Sequence, residues 1–137
     1  MHTSTPVEIK RGMVDRFGGA VDPVTLNTVA EIAPIFRRNA LNIMFAMREA
    51  LAQRDRDRLR LAAHTMKGTS GNLGLLRLAN MCQAVEDLAE EDAFAAAALE
   101  LRNIAAEFRQ VQQVLEELDC DERRGHFFQG IEQTEYL

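Results

Sequence analysis

A chain of 137 residues is the size of one domain and can bury a core without metals or disulfides. Leu and Ala dominate, Trp is absent and Pro occurs only three times, a composition that favours an all-helical protein. The formal net charge is -5, with basic residues scattered among acidic ones, so there is no broad positive face to engage nucleic acid or an anionic membrane surface.

Cys82 and Cys120 are too few for a disulfide framework and lack the paired spacing of a zinc site; a reducing cytoplasm is the simplest compartment. The opening MHTSTPVEIKRG has no apolar core of a secretory signal, and no stretch approaches the ~20 apolar residues of a spanning helix.

Residues 1–20, with Gly18-Gly19, read as an N-terminal tail holding at most a short helical turn or two. Asp22-Pro23 has the form of an N-cap followed by a first-turn proline and opens a helix through Val24, Leu26, Val29 and Ile32, which Pro34 ends or bends. From Ile35, the residues Phe36, Ala40, Ile43, Met47 and Leu51 recur at helical spacing. Asp55 or Asp57 can cap the next helix, which runs through His64 toward Gly74. Another carries Leu75, Leu78, Ala79, Cys82, Val85 and Ala89 on one side, and Asp92 is a cap for the last. That helix aligns Phe94, Ala98, Leu101, Ile104, Phe108, Val111, Leu115 and Leu118. Such stripes are hidden only by packing together, so the fold expected over residues 21–119 is an all-α, up-down antiparallel four-helix bundle with an additional short N-terminal helix. Residues 120–137 form a C-terminal tail whose Phe127-Phe128 pair can dock on the bundle or stay loose.

The chemistry concentrates in the helix around His64. At roughly 100° per residue, Leu59, Ala62, Ala63, Met66, Ser70 and Leu73 share one side. His64 falls opposite, in the company of Asp57, Arg60, Lys67, Gly68 and Gly71. Glycines in a helix interior each cost about 1 kcal/mol relative to Ala, so a helix built for stability alone would not carry two beside an exposed histidine. Their absent side chains let another protein approach the ring to the near-attack distance that in-line phosphoryl transfer requires. An imidazole in water is in useful part a neutral nucleophile at cellular pH, so no activating base is needed. Lys67, one turn on, can meet phosphoryl oxygens as a mobile charge, and Arg60, one turn back, can assist or simply be solvated.

The run Ala63-His64-Thr65-Met66-Lys67-Gly68-Thr69-Ser70-Gly71-Asn72-Leu73-Gly74 resembles the signature of the histidine phosphotransfer (HPt) family, A-H-x-L-K-G-x-S-x-x-L-G. The likeness extends back to Val21-Asp22-Pro23 and on through Leu78-Ala79, Cys82 and Glu86, covering most of residues 21–118. Met66 replaces the usual leucine, a volume-conserving change. The resemblance implies that His64 is phosphorylated, that Lys67 is the phosphate-side cation and that Gly68 gives a partner access. It also implies no intrinsic cofactor, with Mg²⁺ on the receiver partner, and partners that are response-regulator receiver domains and a hybrid histidine kinase. Some members place a glutamine in the following helix to steady the imidazole; here Glu86 stands at that position and Gln83 one turn earlier, and neither is assigned a role.

Three classes of function follow. The first is a phosphorelay intermediate, a carrier without kinase activity of its own that takes a phosphoryl group on His64 from a receiver aspartate and passes it to another receiver, working as a monomer. The second is a helical interaction module that docks a receiver or kinase without being phosphorylated, against which the intact His64 and Lys67 speak. The third, a phosphatase of aspartyl phosphate, is weakened because no carboxylate or amide constellation is evident around His64. A nucleotide loop lacks the required glycine spacing in Gly68–Gly74, and His2 and His126 form no metal motif.

Overall fold

The computed structural model describes residues 2–19, 22–119 and 125–128, so Val21, Cys120 and most of the C-terminal tail lie outside the described residues. The elements are α1 (Pro6–Arg16), α2 (Pro23–Ala52), α3 (Arg56–Asn72), α4 (Leu76–Glu90), α5 (Phe94–Glu116) and a 3-10 turn, Glu117–Asp119. The described residues hold no strand. Neighbours α2 and α3, α3 and α4, and α4 and α5 pack pairwise, and α5 returns to α2, which closes a four-helix bundle; α1 lies against α5. Among the described residues no helix is long and apolar enough to cross a membrane.

The joints are short because α1 to α4 leave by the same kind of turn. Gly19 N–H reaches back to the Val14 carbonyl, Asp55 to Ala50, Leu75 to Ser70 and Ala93 to Leu88, at 2.8–2.9 Å. Each such wrap needs a residue in the left-handed region, supplied by Gly18, Arg54, Gly74 and Asp92. Asp22 and Asp55 cap α2 and α3 by accepting from the N–H groups of Thr25 and Arg58, as the spacing predicts. The Thr25 amide also holds the Asp22 carboxyl below its ordinary value. Asp92 does something else. It sits inside the turn with φ 55°, and its two oxygens accept from Arg56 Nε and Nη2 at 2.8 and 2.9 Å, tying the start of α3 to the α4–α5 joint.

The core runs the length of the bundle through Phe36, Met47, Leu59, Met66, Leu78, Val85, Ile104, Phe108 and Leu115, and the rings of Phe36 and Phe108 meet at 6.2 Å. Of the two outcomes open at Pro34, the helix does not end there: α2 continues through it to Ala52. Pro34 lies on the exposed side, where water can replace the lost donor, while Val29, Ala33, Phe36 and Ala40 bury the opposite side on both flanks of the break. The additional N-terminal helix is present as α1 and is longer than a turn or two. Thr5 and Glu8 form a reciprocal capping box, and α1 buries Ile9, Met13 and Val14. Ser4 N–H donates at 2.8 Å to the carboxylate of Glu107, which is only 1% exposed. Lys10 pairs with Glu117 at 2.7 Å and stands over the ring of Phe127, which is buried together with Phe128.

At Gly12 and Gly74 the backbones of α1 and the α3–α4 joint touch. A Cβ on Gly12 would strike the Gly74 carbonyl, and one on Gly74 would strike the Gly12 carbonyl and Arg16 Cβ. Gly74 also has φ 74°. Gly74→Ala should therefore lower stability by about 2 kcal/mol, from strain plus displacement of α1. Gly12→Ala should lower it through displacement alone, and the midpoints of urea unfolding check both.

Candidate phosphoryl-acceptor site

The inward face of α3 is Leu59, Ala63, Met66 and Ser70, all buried, with Leu73 buried at its C-cap and Ala62 half-buried. This turns His64 outward, and its side chain is 64% exposed. Lys67, one turn on, leans toward α4 and is 30% exposed. From α4, Glu86 rises at the edge of the buried Cys82, Val85 and Ala89 stripe and is 14% exposed.

One oxygen joins the two helices. Glu86 Oε1 lies 2.9 Å from His64 Nδ1 and 3.1 Å from Lys67 Nζ. Lys67 Nζ also donates to Gln83 Oε1 at 2.8 Å, and Gln83 Nε2 donates to Asp87 Oδ1 at 3.0 Å. An ionised carboxylate only accepts, which assigns the ring proton to Nδ1 and leaves the lone pair of Nε2 directed away from Glu86. Beneath the network, burial pushes the Cys82 thiol up to about 12, Glu86 and Glu100 adding to the effect and Lys67 opposing it. Cys82 is a thiol rather than a thiolate at neutral pH, hence no rival nucleophile.

The predicted site residues divide. His64 and Lys67 come together, but through Glu86 rather than directly, and Lys67 is held at two acceptors instead of being a freely mobile charge. Gly68 is exposed and Gly71 half-buried, and a Cβ at either would meet nothing within 4 Å. Neither glycine is demanded by packing inside this chain. Arg60 points elsewhere, its Nη1 standing 4.0 Å from Glu90. Gln83 and Glu86, which carry no assigned role in the sequence, are the contacts of the two site residues, and Glu86 puts one carboxylate directly on the imidazole. The signal was present in the spacing: Gln83, Glu86 and Asp87 share one side of α4, flanking the stripe that must face α3. Among the described residues no group of three or more His, Cys, Asp or Glu is arranged to hold a metal.

The Hpt domain model matches residues 31–120, from within the first third of α2 to the end of the bundle. The chain belongs to the Hpt domain family. Hpt domains are phosphocarrier modules of two-component phosphorelays and are not kinases, which agrees with a histidine standing in solvent on a helical bundle. No curated protein and no solved structure matches the chain.

Because Gly68 is free of internal contacts in the middle of an exposed helix face, Gly68→Gln should leave the fold intact and raise its stability by about 0.5–1 kcal/mol. Urea unfolding monitored by circular dichroism reads the sign.

Proposed function

We propose that the chain is a phosphorelay intermediate in which His64 accepts a phosphoryl group from a receiver-domain aspartate and returns it to the aspartate of another receiver. The observation that carries this reading is His64 itself, its side chain mostly open to solvent while Glu86 holds Nδ1. In the forward step the Nε2 lone pair attacks phosphorus in line as the P–O bond to the receiver's aspartate breaks, and the carboxylate leaves with the bonding electrons. The ring becomes cationic with its proton still on Nδ1, where Glu86 offsets the new charge. Transfer onward reverses each change, and no proton has to be moved in either direction. Mg²⁺ bound by the receiver supplies most of the electrostatic stabilisation of the transferring group.

Approach of a receiver is eased on one side by the bare surface at Gly68 and Gly71. On the other, Leu61, one turn before His64 on α3, is more than half exposed and lines, with Ile43, Ala46 and Ala62, a shallow apolar pocket of about 320 Å³ between α2 and α3. An exposed leucine and an apolar pocket beside the histidine suit a small, transient docking interface. The chemistry lies wholly within residues 21–119 and involves a single histidine, so a monomer suffices. We assign the protein to the cytoplasm, with receiver domains and a hybrid histidine kinase as its partners.

The test is transfer of labelled phosphate from a panel of phosphorylated receiver domains. Acid-labile label should appear on the wild type and be absent from a folded His64→Gln variant. No label from any receiver would leave the interaction-module reading, and label persisting on His64→Gln would assign the chemistry to another residue. Gly68→Gln should slow transfer roughly 10- to 100-fold by obstructing near-attack geometry, despite its gain in stability. Leu61→Ala should weaken receiver binding in titration calorimetry while leaving the folded structure unchanged.

A further inference from the structure

Lys67 is committed to two acceptors on α4, donating to Glu86 Oε1 at 3.1 Å and to Gln83 Oε1 at 2.8 Å. Since α3 and α4 are joined by a short turn and run antiparallel, Gln83 stands one turn farther from His64 along α4 than Glu86 does. A phosphoryl group on Nε2 has the width of the ring between it and Glu86, and lies farther still from Gln83. A Lys67 ammonium turned toward that group would exchange its Gln83 contact for phosphoryl oxygens. Gln83 is itself braced: its Nε2 donates to Asp87 Oδ1 at 3.0 Å, which fixes which end of the amide faces the lysine.

We propose that Gln83, oriented by Asp87, is a positioning residue that sets the phosphoryl-transfer equilibrium of His64; this rests on the relay reading above. On this proposal the contact from Lys67 to Gln83 is given up when Lys67 turns to the phosphoryl group, so it stabilises the bare state alone. Whatever stabilises one of two interconverting states shifts the balance toward it by that amount. The phosphohistidine is thereby kept ready to donate. The step itself is unchanged: the Nε2–P bond forms as the receiver's P–O bond breaks, and the reverse. What Gln83 alters is the free energy of the starting site.

The experiment uses the full chain and a receiver domain labelled with ³²P-acetyl phosphate in the presence of Mg²⁺. The mixture is followed until the ratio of acid-labile phosphohistidine to receiver aspartyl phosphate is constant. Gln83→Leu releases Lys67, and the ratio should rise roughly three- to tenfold, the range expected for loss of a partly exposed hydrogen bond to a charged group. Asp87→Ala, at an exposed position where misfolding is not at issue, should raise it by a smaller factor through loss of the brace. A variant that disturbed only the fold would change the unfolding midpoint and leave this ratio where it was. An unchanged or lower ratio in both variants, with label present on the wild type, overturns the inference while the relay reading stands. No label on the wild type overturns the relay reading and this inference with it.

Discussion

The structure depends on what α3 must bury. Leu59, Ala63, Met66 and Ser70 on one side of this helix face Leu78, Cys82, Val85 and Ala89 of α4, and α3 packs against α4 more extensively than any other pair of helices does. Burying a Leu or Met side chain contributes on the order of 1.5–3 kcal/mol, so rotating α3 to bring His64 inward would expose several such groups at once. The imidazole is held in solvent by the packing behind it. The same packing fixes the rotation of α4 and so lifts Gln83, Glu86 and Asp87 along the seam beside the histidine.

That seam is electrostatically economical. A carboxylate at 14% exposure needs partners, and Glu86 finds them in a ring N–H and an ammonium that both converge on one oxygen. The arrangement defines the ring tautomer without a backbone contact to the histidine. It also links His64 and Lys67 on α3, because each competes for the same acceptor. A change in the charge of the ring is therefore felt by Lys67 through Glu86 even before any partner touches the lysine.

Most of the bundle was legible because its stripes are regular: the apolar positions of α3, α4 and the second half of α2 are read correctly at a period of 3.6, and the exposure of His64 follows from them. The departures have specific causes. Pro34 carries a strong local signal for a helix end, but burial of Val29 and Phe36 on either side of it outweighs one missing donor. Residues Pro6–Arg16 are polar enough to pass for a tail, with their three buried side chains hidden among charges, and the docking of α1 relies on a contact between two backbones, Gly12 and Gly74, that no periodicity reveals. Asp92 has the residue type of a cap but serves as the acceptor for Arg56, a pairing across distant positions. Glu86 stands where the resemblance places an imidazole partner, yet the role of a carboxylate there is set by the neighbouring helix, and a single helix read by itself does not contain it.

The buried carboxylate of Glu107 gives the N-terminal segment a structural weight that its composition conceals. The Hpt match begins at residue 31, inside α2, and takes in neither α1 nor Ser4. A protein trimmed to the match would start partway along a helix and remove the amide that Glu107 accepts from. The carboxylate, 1% exposed in the intact chain, would lose both its cover and its donor, and the Gly74 joint would lose the helix that rests on it. Where this bundle is cut for transplantation into another signalling protein, the working boundary lies ahead of Ser4, well before the point at which family likeness begins.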